Sequence, residues 1–316
     1  MDELRKEMKI LGLMKAILDE VDDERRVYLA DKILDIDPDN AIGKYVKWQS
    51  SNEPATIADT KLLEEAIDSL RTGMGTASDS SEKDKLARLI YISMLTDLVS
   101  FSYIKGDKSL AYEVASEFMR VGGNDNRIVR TVYYASLLER GDFEEMIRAT
   151  ESDILENSSA YHCRAIAAFE LDGRGEMAAR SLMDAIALDP DLPYYILGVW
   201  GFDDEAFIET LNCEDVPRLE DIMITVPILH ELWSANEERL EFLATMAFAF
   251  GYITGRVEPD DMKMVENGCR NIECLEEIRE ARDIIHAMLA AGREQDEVDE
   301  KALSIFEEND YFGLSD

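Results

Sequence analysis

Three histidines, four cysteines and one run of alternating aspartates are the residues of this chain whose types suit metal or nucleophilic chemistry. Asp35-x-Asp37-x-Asp39 opens like a calcium loop, in which carboxylates at alternate positions converge on one cation. Its sixth place is Asn40 rather than glycine, and its twelfth is Val46 where a bidentate glutamate belongs, so both the turn and the clamp are missing. Cys163, Cys213, Cys269 and Cys274 have neither disulfide nor zinc spacing. Cys269 and Cys274 would stand about 140° apart around a helix, which suits reduced, partly buried thiols rather than paired ligands. His162, His230 and His286 are far apart and fall on expected helices. Gly73-x-Gly75 lacks the preceding strand, third glycine and lysine of a phosphate loop. Gly-x-Ser-x-Gly, His-Glu-x-x-His and the dinucleotide fingerprint do not occur. No catalytic, cofactor-binding or metal-binding residue is assigned, and the protein is not expected to be an enzyme. Carboxylates brought together from distant helices are the enzymatic alternative.

The elements that would position any site are helical. In Ser159 to Leu192, His162, Ala165, Ile166 and Phe169 recur at helical spacing, Asp172-Gly173 interrupts, Ala178, Leu182 and Ala185 follow, and Asp189-Pro190 closes. Gly141 and Gly106 precede Gly173 at intervals of 32 and 35 residues, each between two amphipathic runs. Glycine suits such a turn because it adopts a left-handed conformation without a Cβ clash. Proline after Asp37 and Asp189 makes two sharp helix stops, since the residue before proline avoids the α region.

This pattern resembles the tetratricopeptide repeat, a helix-turn-helix unit of 34 residues. Counting from Ser159, the small residue opening the second helix is Ala178, and Leu182, Ala185 and Pro190 occupy the places that follow. The resemblance implies an all-α fold: a solenoid of antiparallel helix pairs with a degenerate helical C-terminal region. Residues 1–71 are expected to form degenerate N-terminal pairs, 72–84 a flexible linker, 85–193 the repeat array, and 194–316 a region continuing or capping it. A kink or break is expected at Pro227, inside an apolar run.

The family binds peptides or helices of other proteins in a groove lined by the first helix of each pair. Carried over residue by residue, the lining positions are Thr96, Ser100 and Tyr103, then Thr131, Ala135 and Leu138, then Cys163, Ala167 and Glu170. Each trio lies on one helical face; the alternative is that these faces pack on other helices of the same chain. One class of the family grips a chaperone's terminal carboxylate through five polar places. Only Arg164 matches here, against Thr96, Ser100, Val132 and Ala160, so that activity is not implied.

Charge sets the partner class. With 68 acidic and 33 basic side chains, the net charge of −35 opposes nucleic acid and anionic membrane, whose phosphates carry the same sign. A protein or peptide partner is expected, and a basic one is permitted. An acidic decoy or chaperone that neutralises a basic protein is the alternative to a scaffold. No uninterrupted apolar run reaches the roughly 18 to 20 residues of a membrane span, and the first residues lack an apolar signal core. A cytoplasmic protein without cofactor is expected.

Overall fold

The computed structural model describes residues 2–51, 60–74, 82–122, 126–151, 157–201, 216–257 and 272–309. Among these the chain is all-α, with fifteen helices and no strand. It divides into two compact units, Met1–Val132 and Tyr133–Asp316.

The first unit holds α1 (Asp2–Leu18), α2 (Asp23–Leu34), α3 (Ala41–Ser51), α4 (Lys61–Met74), α5 (Glu82–Ile104) and α6 (Lys108–Arg120). Each helix packs on the next in sequence. Caps fix their ends: Asp22 accepts from the Arg25 amide, Asn40 from those of Ile42 and Gly43, and Asp107 from that of Leu110. Each bond satisfies an amide that the first turn leaves without an intrahelical partner. The interior is lined by Ile33, Leu63, Met94, Leu95, Val99, Val114 and Phe118, all at most 2% exposed.

Of the expected linker, Thr72–Met74 complete α4, Glu82–Asp84 begin α5, and residues 75–81 lie outside the described residues. By length and composition Lys85–Ile104 is apolar enough to cross a membrane. Polar Ser93, Thr96, Asp97 and Ser100 break the uninterrupted run without lowering the mean below that level. The helix packs on both α4 and α6, with Tyr91, Met94, Leu95 and Leu98 buried.

Two turns between successive helices make the same hydrogen bonds. After α5, the Gly106 amide donates to the Tyr103 carbonyl and the Asp107 amide to the Ser102 carbonyl. After α7 (Arg127–Arg140), Gly141 and Asp142 make the same two bonds to Leu138 and Leu137 before α8 (Phe143–Glu151). Both glycines have positive φ, 80° and 76°, as this helix ending requires. Gly173 also has positive φ but an extended ψ of −139°, so the third turn differs in geometry.

The second unit continues with α9 (Ser158–Asp172), α10 (Glu176–Leu188), α11 (Leu192–Ile196), α12 (Val216–Ser234), α13 (Glu237–Thr254), α14 (Ile272–Ala290) and α15 (Gln295–Asn309). α9 packs on α8, α10 and α12, and α15 returns to α10, α13 and α14. The sequence suits a short helix at Ala206–Leu211, and Pro259 among acids suits a helix start at Glu258–Asp261; both lie outside the described residues. α12 remains helical through Pro227. Within α13, Gly251 lets α11 approach closely: a Cβ there would lie 2.4 Å from the Tyr194 hydroxyl, which donates to the Ala247 carbonyl at 2.9 Å.

Ala178, the small residue expected at the α9–α10 crossing, is 1% exposed, whereas Glu176 two residues earlier is exposed. Ala178→Leu should therefore cost about 1 to 3 kcal/mol by overpacking, and Glu176→Leu should stay within about 0.5 kcal/mol. Thermal unfolding of the two variants compares them; equal stability would place the crossing elsewhere.

Candidate interaction surface

The nine lining positions and Arg164 differ widely in exposure. On α5, Thr96, Ser100 and Tyr103 are half-buried and lie together. On α7, Thr131, Ala135 and Leu138 are buried at 0%, 1% and 7% exposure. On α9, Cys163 and Ala167 are fully buried, and Arg164 lies 3.9 Å from Glu151. Glu170 accepts from the Arg239 guanidinium of α13 at 2.7 Å. The adjoining side of α9, about 100° round the helix, is covered from within the same unit. His162 meets Trp233 of α12 edge-on at 6.0 Å, and Phe169 meets Phe242 of α13 at 5.6 Å.

The open part of α5 is longer than the trio expected there. Leu89 (64% exposed), Ser93, Thr96, Ser100 and Ile104 (70% exposed) recur at intervals of three and four residues, which places them along one side of the helix. Three hydroxyls on this strip turn back onto their own helix: Ser93 to the Leu89 carbonyl, Thr96 to Ile92 and Ser100 to Thr96. Their donors are thus satisfied, and an exposed aliphatic side chain stands at each end of the strip. Beside the strip, the Tyr45 hydroxyl donates to Asp97 at 2.7 Å and the Gln49 amide donates to the same oxygen at 3.5 Å. Burial pushes the Asp97 carboxyl up, against the lowering effect of these two bonds. The same periodicity that selected Thr96 and Ser100 extends back to Leu89. The repeat frame hid it, because its first position falls at Ile92.

The residues first considered for chemistry are dispersed. Cys163 is buried, which pushes its thiol up; Cys274 is on α14, and Cys213 and Cys269 lie outside the described residues. His230 Nδ1 lies 2.8 Å from the Ile196 carbonyl on α11, and His286 accepts from Arg282 on its own helix. Among the described residues, no three His, Cys, Asp or Glu side chains are grouped to hold a metal ion. Asp35 pairs with Lys32 and Asp39 with Lys44, while Asp37 accepts from the Asp39 amide and the Asn40 side chain. In that position it braces the cap of α3.

His162 has no protein hydrogen-bond partner on either nitrogen, and burial lowers its pKa from 6.5 to about 3. The unfolded chain therefore binds a proton between these values that the folded chain refuses. Stability contributed by the neutral ring is complete above pH 6.5 and falls as the pH drops toward 3. At pH 5 the loss should be about 2 kcal/mol. His162→Phe removes this contribution, so unfolding of the two proteins by urea at pH 7 and pH 5 should diverge by that amount.

No family model, curated protein or solved structure matches this chain.

Proposed function

We propose that the protein is an interaction scaffold, built from tetratricopeptide-like helix pairs, that receives a peptide or helix of a partner protein on the outer side of α5. The observation that carries this reading is the strip from Leu89 to Ile104. It is a long helical side with exposed aliphatic ends whose hydroxyls are already bonded to the helix itself. Satisfied hydroxyls can be covered by a partner without stranding a donor, which would otherwise cost about 1 to 3 kcal/mol each. The identical turns at Gly106 and Gly141 and the next-neighbour packing of α1 to α6 support a repeat-built array.

The second reading, an acidic decoy that neutralises a basic protein, rests on the net charge of −35. Ionic strength separates the two, because charge-driven association weakens steeply with salt and apolar docking does not. The test is capture of partners from a native lysate on the immobilised full chain, with mass spectrometry after low-salt and high-salt washes. A partner held through both washes supports the scaffold. Retention of basic proteins alone, all released by salt, supports the decoy.

A further inference from the structure

A cavity of about 400 Å³ opens in the first unit, between α1, the α2–α3 connection, α4 and α5. Its volume lies within the roughly 300 to 1,000 Å³ of ligand sites. The walls are aliphatic: Ile10 and Met14 from α1, Ile36 and Pro38 from the connection, Leu70 from α4 and Ala87 from α5. Ile36, Asp37 and Pro38 of the connection all line the cavity, and Asp35 and Asp39 flank them in sequence. Asp37 itself faces the cavity, and the side chains of Asp35 and Asp39 are 70% and 93% exposed. Asp35 pairs with Lys32 at 3.7 Å in water, where such a pair holds weakly, and Asp39 pairs at 3.4 Å with Lys44, which is itself 15% exposed and lies 3.7 Å from Glu65. Glu7 adds a carboxylate on the α1 side, next to Lys6, the single cation of the lining.

We propose that this cavity is a binding site for a basic peptide segment, taking one large apolar side chain inside while lysines or arginines on either side of it meet the aspartate lip. Charge complementarity selects this occupant. Glu7 and Asp37 outnumber Lys6 among the lining residues, and the chain's net charge of −35 draws cations toward them. An apolar molecule with an anionic head would meet Lys6 alone and be repelled by Glu7, Asp37 and their neighbours. The site does not involve the outer strip of α5, so either one can fail without the other.

The test uses the full chain and three capped tripeptides, Lys-Phe-Lys, Glu-Phe-Glu and Lys-Gly-Lys, titrated by calorimetry at low ionic strength. Lys-Phe-Lys should bind saturably and about tenfold tighter than either of the others. Ala87→Phe, which fills the cavity without altering charge, should weaken it about tenfold. The paired change Asp35→Lys and Asp39→Lys, on exposed side chains, should weaken it similarly and flatten its salt dependence. Thermal unfolding of each variant verifies that it is folded. Equal binding of Glu-Phe-Glu overturns the charge assignment, and equal binding of Lys-Gly-Lys overturns the apolar anchor. Unchanged affinity in Ala87→Phe, or no saturable binding of Lys-Phe-Lys to the unmodified chain, overturns the site.

Discussion

Asp299→Ala should lower the unfolding free energy by about 3 to 4 kcal/mol, the largest effect expected of any single substitution considered. Arg256, just beyond the end of α13, donates to both oxygens of Asp299 on α15, at 2.6 and 2.7 Å, and to Asp191 before α11 at 2.8 Å. The side chains of Arg256 and Asp299 are only 12% and 9% exposed. Burial works against the Arg256 charge, but the two carboxylates outweigh it and hold the guanidinium more firmly protonated than usual. Removing one partner of a buried pair strands the other, which typically costs about 3 to 5 kcal/mol. Asp191 remains to Arg256, which places the expected loss at the lower end. Asp299→Asn keeps one acceptor in place and should lose less. Urea unfolding of both variants measures the difference, and equal losses would show that a neutral acceptor contributes nothing and that the Asp299 charge alone holds α15.

Glu117→Ala should cost about 2 to 3 kcal/mol in the first unit. The Glu117 carboxylate on α6 accepts two bonds from Arg71 on α4, at 3.1 and 2.5 Å, and one from the Tyr91 hydroxyl of α5 at 2.5 Å. Three successive helices thus meet at one side chain that is 9% exposed. Burial works against the charge, yet the Arg71 and Tyr91 bonds win and hold the carboxyl below its ordinary value. Burial and the Glu117 bond push Tyr91 up to about 12. Arg71 is 43% exposed and can turn to water, so most of the expected loss belongs to the Tyr91 hydroxyl and the lost cross-helix bonds. Tyr91→Phe alone should cost about 1 kcal/mol. The double variant should cost less than the sum, because both single changes break the same bond. The Glu117 contribution is complete above the unfolded carboxyl pKa and disappears as pH falls through the lower folded value.

Local features of the fold were legible in the sequence because they depend on residues close together. Gly106-Asp107 and Gly141-Asp142 marked two turns between successive helices, and the identical turn bonds follow from glycine's left-handed φ. Asp37-Pro38 and Asp189-Pro190 marked helix ends, and α2 and α10 stop at Leu34 and Leu188. Apolar spacing marked Ala178, Leu182 and Ala185 as one face of α10, and all three are buried.

What depended on distant residues was not legible. Arg256 stands 65 and 43 residues from its two aspartates, and no short-range pattern connects them. Cys163 and Ala167 share a face with Glu170, as their spacing requires, but both are fully buried there and Glu170 is held by Arg239 of α13, 69 residues on. Small side chains fit a groove and a helix crossing equally well, so size alone could not choose between them. The cavity under α1 depends on four separate segments and left no mark in any one of them.

The most direct measurement for the proposed role is the affinity of the salt-resistant captured partner for the unmodified chain and for a variant with an altered α5 strip. Leu89→Glu and Ile104→Glu change only exposed side chains, at 64% and 70% exposure, and should leave stability within about 0.5 kcal/mol each. Calorimetric titration at fixed salt is expected to show binding at least about tenfold weaker in the double variant. Affinity unchanged in a double variant that unfolds at the same temperature as the unmodified chain would contradict partner binding on the outer side of α5.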